Sequence, residues 1–147
     1  MALVLAALLV VLVAVGLWIK SARSRRVLEE HTITPEALHA LLQARQEVLL
    51  FDVRQPLDLL ADSEIIPGAK RLDPEKVIEN PSLIPKQRDA VVYCTCPSDR
   101  TARMILQKAL ASKFLRVKFL RGGLNAWKAK GYPVEPYTKP FHLDTLA

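Results

Sequence analysis

Residues that build covalent frameworks or metal sites are scarce in this chain. Two of its 147 residues are cysteine, too few for a disulfide framework, and their spacing in Cys94-Thr95-Cys96 would close a small strained ring. We therefore expect both thiols to be reduced. The three histidines lie far apart in the sequence and show none of the spacings of metal ligands, so we predict no metal site. They are His31, His39 and His142.

Repeats, low-complexity tracts and Gly/Ser-rich linkers are also missing. Half of the residues are apolar, which is enough for one compact domain with its own core plus an appendage. The net charge of +6 at pH 7 would suggest a nucleic-acid partner if it were spread over the domain. Four of the charges instead lie within residues 20–26 and the rest of the chain is nearly balanced, so we expect no nucleic-acid partner. The four are Lys20, Arg23, Arg25 and Arg26.

An unbroken apolar run precedes this basic segment. It extends from Ala2 to Ile19, long enough to cross a bilayer as a helix, and Trp18 followed by Lys20 is typical of an interfacial anchor. A cleaved signal peptide is the alternative, but it would carry its positive charges before the run and a small-residue cleavage site after it. Because basic flanks stay in the cytoplasm, we predict a single-pass helix in the inner (plasma) membrane with its N-terminus outside.

Strand patterns and helix patterns alternate in the rest of the chain. Continuous apolar runs at Glu47–Val53 and Ala90–Tyr93 are typical of strands covered on both faces, and Arg116–Leu120 alternates as another strand. Thr34-Pro35 and Asp73-Pro74 each combine a capping residue with proline, the pattern that begins a helix. Strands that alternate with helices over this length predict an α/β domain with a mostly parallel sheet.

We accordingly divide the chain into four parts. Residues 1–20 are the transmembrane anchor, 21–30 a basic juxtamembrane tether, 31–136 a domain facing the cytoplasm, and 137–147 a C-terminal tail. From Pro133 onward the chain contains Pro136 and Pro140, and we expect this part to run over the surface.

Cys94 lies where an apolar strand pattern ends, and a helical pattern begins at Thr101. In open parallel sheets, ligands bind beyond the carboxyl ends of the strands, where backbone amides and helix N-termini converge. Such an environment stabilises a thiolate, and Arg100 could bind an oxyanion with two hydrogen bonds. We predict that Cys94 is a nucleophile in an anion-binding loop; the alternative is a buried cysteine beside a solvent-facing arginine. The predicted substrate-binding residues are Thr95, Cys96, Pro97, Ser98, Asp99, Arg100 and Thr101.

Five separated segments resemble the rhodanese family. They match its opening strand and helix, its Asp-Val-Arg strand, its Ile-Pro-Gly-Ala turn, the strand that delivers its cysteine, and its closing Gly-Gly and Trp segment. These segments are Thr32–Leu38, Leu50–Arg54, Ile66–Ala69, Val91–Cys94 and Gly122–Trp127.

The resemblance implies a rhodanese-like open parallel sheet with helices on both faces, and a sulfurtransferase activity. Cys94 would take sulfane sulfur from a small donor such as thiosulfate, or from a persulfide-carrying protein. It would hold the sulfur as a persulfide and pass it to a thiol or another nucleophile. Loop amides would stabilise the negative charge on the terminal sulfur, so no cofactor is needed.

The spacing of the loop departs from the usual rhodanese pattern. Arg100 lies six residues after Cys94 rather than five, Pro97 stands in the middle of the loop in place of glycine, and Asp99 adds an acidic side chain. Glu64 stands where a histidine often precedes the Ile-Pro-Gly-Ala turn. These departures leave the predicted fold unchanged and leave the sulfur donor open.

Two other functions follow from the same residues. The span from Cys94 to Thr101 satisfies the C-x5-R-[ST] pattern of cysteine phosphatases, and the phosphatases and arsenate reductases of the rhodanese fold use this wider loop. Against a phosphatase, Tyr93 replaces the usual histidine, Pro97 removes one amide donor and Asp99 would repel phosphate. The third hypothesis is a non-catalytic rhodanese module that binds a partner at the membrane.

Four further side chains have separate predictions. Cys96 is a resolving thiol that accepts sulfur from Cys94, an ordinary loop residue, or the nucleophile itself. Asp52 and Arg54 are predicted to form a structural ion pair, and Trp127 to lie in the core.

Overall fold

The computed structural model describes residues 1–95 and 100–139, apart from the side chains of Ala2, Leu3 and Leu5. These residues separate into two compact units, one of residues 1–31 and one that begins at Thr32. The first unit is a 29-residue helix, α1 (Ala2–Glu30), which runs through both the apolar segment and the basic segment. Its described apolar side chains are exposed along the whole membrane-length stretch. α1 is therefore long and apolar enough to cross a membrane, a property that signal sequences near an N-terminus share.

The second unit is built on a parallel sheet of five strands. In the described residues the strand order is β1-β6-β5-β2-β4, and β3 pairs with β7 in a separate antiparallel ribbon. The strands are β1 (Thr32–Ile33), β2 (Leu49–Asp52), β3 (Glu64–Ile65), β4 (Lys70–Arg71), β5 (Ala90–Tyr93), β6 (Val117–Leu120) and β7 (Glu135–Pro136). The strands predicted from two apolar runs and one alternating pattern are thus confirmed as β2, β5 and β6, and β5 lies in the middle of the sheet.

Five helices of the second unit connect these strands. They are α2 (Pro35–Gln43), α3 (Pro56–Ala61), α4 (Pro74–Glu79), α5 (Arg100–Ala111) and α6 (Gly123–Ala129), with a 3-10 turn at Pro81–Leu83. The cap-and-proline pattern explains where two of them begin. Thr34 Oγ1 accepts a hydrogen bond of 3.3 Å from the N–H of Ala37, and Asp73 Oδ1 accepts one of 2.9 Å from the N–H of Glu75. Both predicted helix starts are confirmed.

Apolar side chains cover the sheet on both faces. On one face, Tyr93 and Trp127 are fully buried together with side chains from α2 and α6. On the other face, Phe119 is buried and Arg103 of α5 lies over its ring. The first cluster consists of Ile33, Leu38, Leu50, Ile66, Val91, Tyr93, Leu120, Leu124 and Trp127. The prediction that Trp127 lies in the core is confirmed, and its Nε1–H donates to the carbonyl of Pro133 over 2.8 Å.

The β3–β7 ribbon is a feature that the sequence patterns do not predict. We expected the chain from Pro133 onward to run over the surface; Glu135 and Pro136 are indeed exposed, but they also pair with Glu64–Ile65. Both strands are two residues long, too short for an alternating pattern, and a proline in one of them argues against a strand. The ribbon therefore depends on tertiary contacts rather than on local sequence preference.

An ion pair joins α2 to the residue after α6 and makes stability depend on pH. Lys130 Nζ lies 2.6 Å from Glu36 Oε1, and the hydrogen bond from Lys130 lowers the pKa of Glu36 from 4.5 to about 2. Because the pKa of Glu36 is lower in the folded state, the ion pair stabilises the fold completely above pH 4.5, and this stabilisation disappears as the pH falls to about 2. We expect the difference in Tm between the wild type and Glu36→Gln to vanish across this window. A difference in Tm that stays constant down to about pH 2 would contradict the assignment of the pH dependence to Glu36.

Candidate functional site

The thiol of Cys94 lies at the carboxyl edge of the sheet, directly after the central strand β5. The residue is fully buried, and its sulfur is not in a disulfide. The N–H of Val53 donates to the carbonyl of Tyr93 over 2.9 Å, so the chain leaving β2 runs beside the chain entering the loop. This is the position in which parallel sheets bind ligands.

The structure describes four of the eight predicted site residues. Cys94 and the half-buried Thr95 begin the loop, Arg100 is the exposed first residue of α5, and Thr101 follows it, half-buried. The remaining four lie outside the described residues, namely Cys96, Pro97, Ser98 and Asp99. The order of strand, cysteine, loop and helix agrees with the sequence-based expectation, and the catalytic and binding roles stay predictions.

The first turn of α6 packs directly against the main chain of the loop. The N–H of Leu124 donates to the carbonyl of Cys94 over 3.0 Å, and Asn125 Nδ2 donates to the carbonyl of Thr95 over 3.5 Å. Gly123 is buried, and a Cβ atom at this position would overlap the carbonyl oxygen of Cys94. In the sequence this segment matches the family's closing Gly-Gly and Trp segment, and paired glycines at the start of a helix are the signal of a close backbone approach.

Asp52 and Arg54 form the predicted ion pair at the end of β2. Arg54 is completely buried, and its Nη2 and Nε lie 2.6 Å and 2.9 Å from Asp52 Oδ2. The guanidinium also donates to the carbonyls of Asp62 and Glu64, over 2.7 Å and 2.8 Å. Burial by itself lowers the pKa of Arg54, but the hydrogen bonds and charge of Asp52 outweigh it and raise the pKa. Arg54 therefore stays charged and ties the end of β2 to β3.

Tyr93 directly precedes Cys94, and its phenol is neutral. Its hydroxyl accepts a hydrogen bond of 3.2 Å from the N–H of Ile66. Burial, reinforced by the charge of Asp52, raises the pKa of Tyr93 well above its usual range. The hydroxyl stays protonated at ordinary pH, so Tyr93 contributes packing and a hydrogen bond rather than charge.

Comparison with known proteins places the chain in a family. The model of the rhodanese-like domain matches residues 34–130. The chain belongs to the rhodanese-like domain family. A curated sulfurtransferase of Allochromatium vinosum is 34% identical over 104 residues, which cover 69% of this chain and 92% of the relative.

Solved structures confirm the rhodanese fold, an α/β fold with a five-stranded parallel sheet that is here preceded by a long apolar helix. The full-length protein from Lactobacillus plantarum aligns with a TM-score of 0.67 at 21% identity, covering 80% of this chain and 97% of its own. The rhodanese-like domain of an Anabaena protein aligns with a TM-score of 0.60 at 24% identity, covering 80% and 89%. At these identities the likeness concerns the fold alone.

Glu64, the first residue of β3, binds a cation from α6. Its carboxylate lies 2.6 Å from Lys128 Nζ, which also contacts Asp62 over 2.9 Å. These hydrogen bonds raise the pKa of Lys128. Lys128 thus ties α6 to Asp62 and Glu64, and Glu64 has a structural partner in this chain.

Proposed function

We propose that this rhodanese-like protein transfers sulfane sulfur through a persulfide on Cys94. One observation carries the proposal. Cys94 directly follows the central parallel strand β5, its side chain is buried at the edge of the sheet where ligands bind, and its backbone carbonyl accepts a hydrogen bond from α6. Homology to a curated sulfurtransferase agrees with this chemistry.

The proposed reaction has two steps that balance in atoms and charge. The Cys94 thiolate attacks the outer sulfur of thiosulfate, the bond between its two sulfurs breaks, and sulfite leaves with the electron pair. An acceptor thiolate then attacks the terminal sulfur of the persulfide, and Cys94 leaves as a thiolate. Each intermediate carries negative charge on sulfur, which amide donors in a water-poor site stabilise without a cofactor.

Phosphatase or arsenate reductase chemistry is the second candidate, favoured by the loop spacing. Five residues separate Cys94 from Arg100, and Thr101 follows, as in the wider oxyanion-binding loops. The neutral, buried Tyr93 argues against it, because it places no cation next to the thiol. Sulfur transfer therefore remains the proposed activity.

One experiment separates these candidates. The full chain in non-ionic detergent is treated with thiosulfate, polysulfide or an organic persulfide, and peptide mass spectrometry locates any added sulfur. We expect the Cys94 peptide to gain the mass of one sulfur atom. Parallel assays with an aryl phosphate and with arsenate should show no turnover. Turnover of either one that Arg100→Ala abolishes, without sulfur on Cys94, would overturn the proposal in favour of an oxyanion enzyme.

We further propose that α1 anchors the protein in the inner membrane with the second unit in the cytoplasm. The exposed apolar side chains of α1 support an anchor, since they would be costly to leave in water. Basic residues after the apolar segment support the cytoplasmic orientation. Protease treatment of spheroplasts should leave the second unit uncut, and the membrane-bound chain should retain residues 1–20. A mature chain that lacks these residues would show a signal sequence instead.

A further inference from the structure

The first turn of α6 determines how the peptide group between Cys94 and Thr95 is oriented. Its carbonyl oxygen accepts the N–H of Leu124 over 3.0 Å and therefore points toward α6. In a planar trans peptide the N–H points opposite to the carbonyl, and no peptide bond of the described chain is cis. The N–H of Thr95 therefore points away from α6. Among residues 1–95 and 100–139 this N–H donates to no backbone acceptor.

α6 cannot easily move away from the loop that it holds. Leu124 and Trp127 are completely buried, and the indole of Trp127 is hydrogen-bonded to Pro133 over 2.8 Å. A displacement of α6 would open a cavity in the core and break this bond, both of which are costly. If a side chain were inserted between α6 and Cys94, the chain at Cys94 would therefore have to move rather than α6.

Gly123 is the residue that allows this contact. A Cβ atom there would overlap the carbonyl oxygen of Cys94 and lie 2.9 Å from its carbonyl carbon. The φ angle of Gly123 is +54°, a conformation that other residues rarely adopt. Both the close approach and the backbone conformation thus require glycine.

We propose that Gly123 is a positioning residue for sulfur transfer. By letting α6 hold the carbonyl of Cys94, it aims the N–H of Thr95 at the sulfur side of the site. There the N–H stabilises the negative charge of the thiolate and of the persulfide made from it. This role rests on the proposed function. It goes beyond that function because it makes α6, a helix distant in the sequence, responsible for the orientation of the Thr95 amide.

The chain supplies two matched control glycines. Gly131 has a φ angle of +71° with nothing near an added Cβ, so Gly131→Ala introduces backbone strain alone. Gly122 also has a φ angle of +71°, and an added Cβ would lie 2.6 Å from Ala126 Cβ, so Gly122→Ala adds a clash against α6. Only Gly123→Ala combines strain with a clash against Cys94.

The test compares the three alanine variants as full chains in detergent, each with Cys96→Ser so that a single thiol reacts. Two quantities are measured at a temperature where each variant is folded: the rate of persulfide formation from thiosulfate, and the pH midpoint of alkylation by iodoacetamide. We expect Gly123→Ala to slow persulfide formation about tenfold or more relative to both controls. Its alkylation midpoint should move to higher pH, because the thiolate loses a donor.

The proposal is overturned if Gly123→Ala matches Gly131→Ala or Gly122→Ala in both quantities once all are folded. If Gly123→Ala does not fold, Asn125→Ala decides, since this exposed side chain holds the carbonyl of Thr95 over 3.5 Å. It should shift both quantities in the same direction by a smaller factor, and no shift in either would overturn the proposal. Failure of the sulfurtransferase proposal is recognised separately, because a wild-type chain that forms no persulfide still yields an alkylation midpoint.

Discussion

Replacing Cys94 by serine should reduce sulfur transfer to the rate of the uncatalysed reaction while the domain stays folded. A hydroxyl at this position is a weak nucleophile near neutral pH and cannot form a persulfide. Serine is similar in size to cysteine, and burying its hydroxyl costs about 1–3 kcal/mol, less than the total stability of a typical domain. The measurement is peptide mass spectrometry after thiosulfate treatment, together with the rate of sulfur delivery to an added thiol.

Cys96→Ser is the matched control, because it removes the neighbouring thiol and leaves the thiol of Cys94. If Cys96 is an ordinary loop residue, both steps keep their wild-type rates. If it is a resolving thiol, persulfide still forms on Cys94 and only its discharge slows. A Cys94→Ser chain that gains sulfur on Cys96 at the wild-type rate would instead make Cys96 the nucleophile.

The position of the candidate nucleophile could be predicted because it follows from local patterns. Continuous apolar runs specify β2 and β5, and proline after a capping residue specifies where α2 and α4 begin. A cysteine directly after such a strand must lie at the carboxyl edge of a parallel sheet. For the same reason the structure differs from the prediction at β2 only in its ends, Leu49–Asp52 rather than Glu47–Val53.

The surroundings of the thiol could not be predicted in the same way, because they come from residues far away in the sequence. Leu124 binds the carbonyl of Cys94, and Lys128 neutralises Glu64, yet neither contact has a period or a spacing to reveal it. Gly123 shows the difference most clearly. In the sequence it is one of two adjacent glycines, and only the folded chain shows that the missing side chain makes room for the backbone of Cys94.

The largest expected loss of stability comes from Arg54→Met. This variant leaves the carboxylate of Asp52 buried without its cation and deprives the carbonyls of Asp62 and Glu64 of donors. Breaking a buried ion pair in this way costs about 3–5 kcal/mol. Denaturant unfolding of the full chain in detergent measures the loss, with Trp18→Phe as the background so that the buried Trp127 alone reports unfolding.

Two variants show whether burial is the cause. Arg116 binds Asp89 with the same two-point geometry, over 2.8 Å and 3.1 Å, but both side chains are more than half exposed. Arg116→Met should therefore cost far less than Arg54→Met, since water screens the pair and solvates the remaining carboxylate. Asp52→Asn added to Arg54→Met should recover part of the stability, because it removes the uncompensated charge. Equal losses in the two methionine variants would mean that the buried pair stabilises the junction of β2 and β3 no more than a surface contact does.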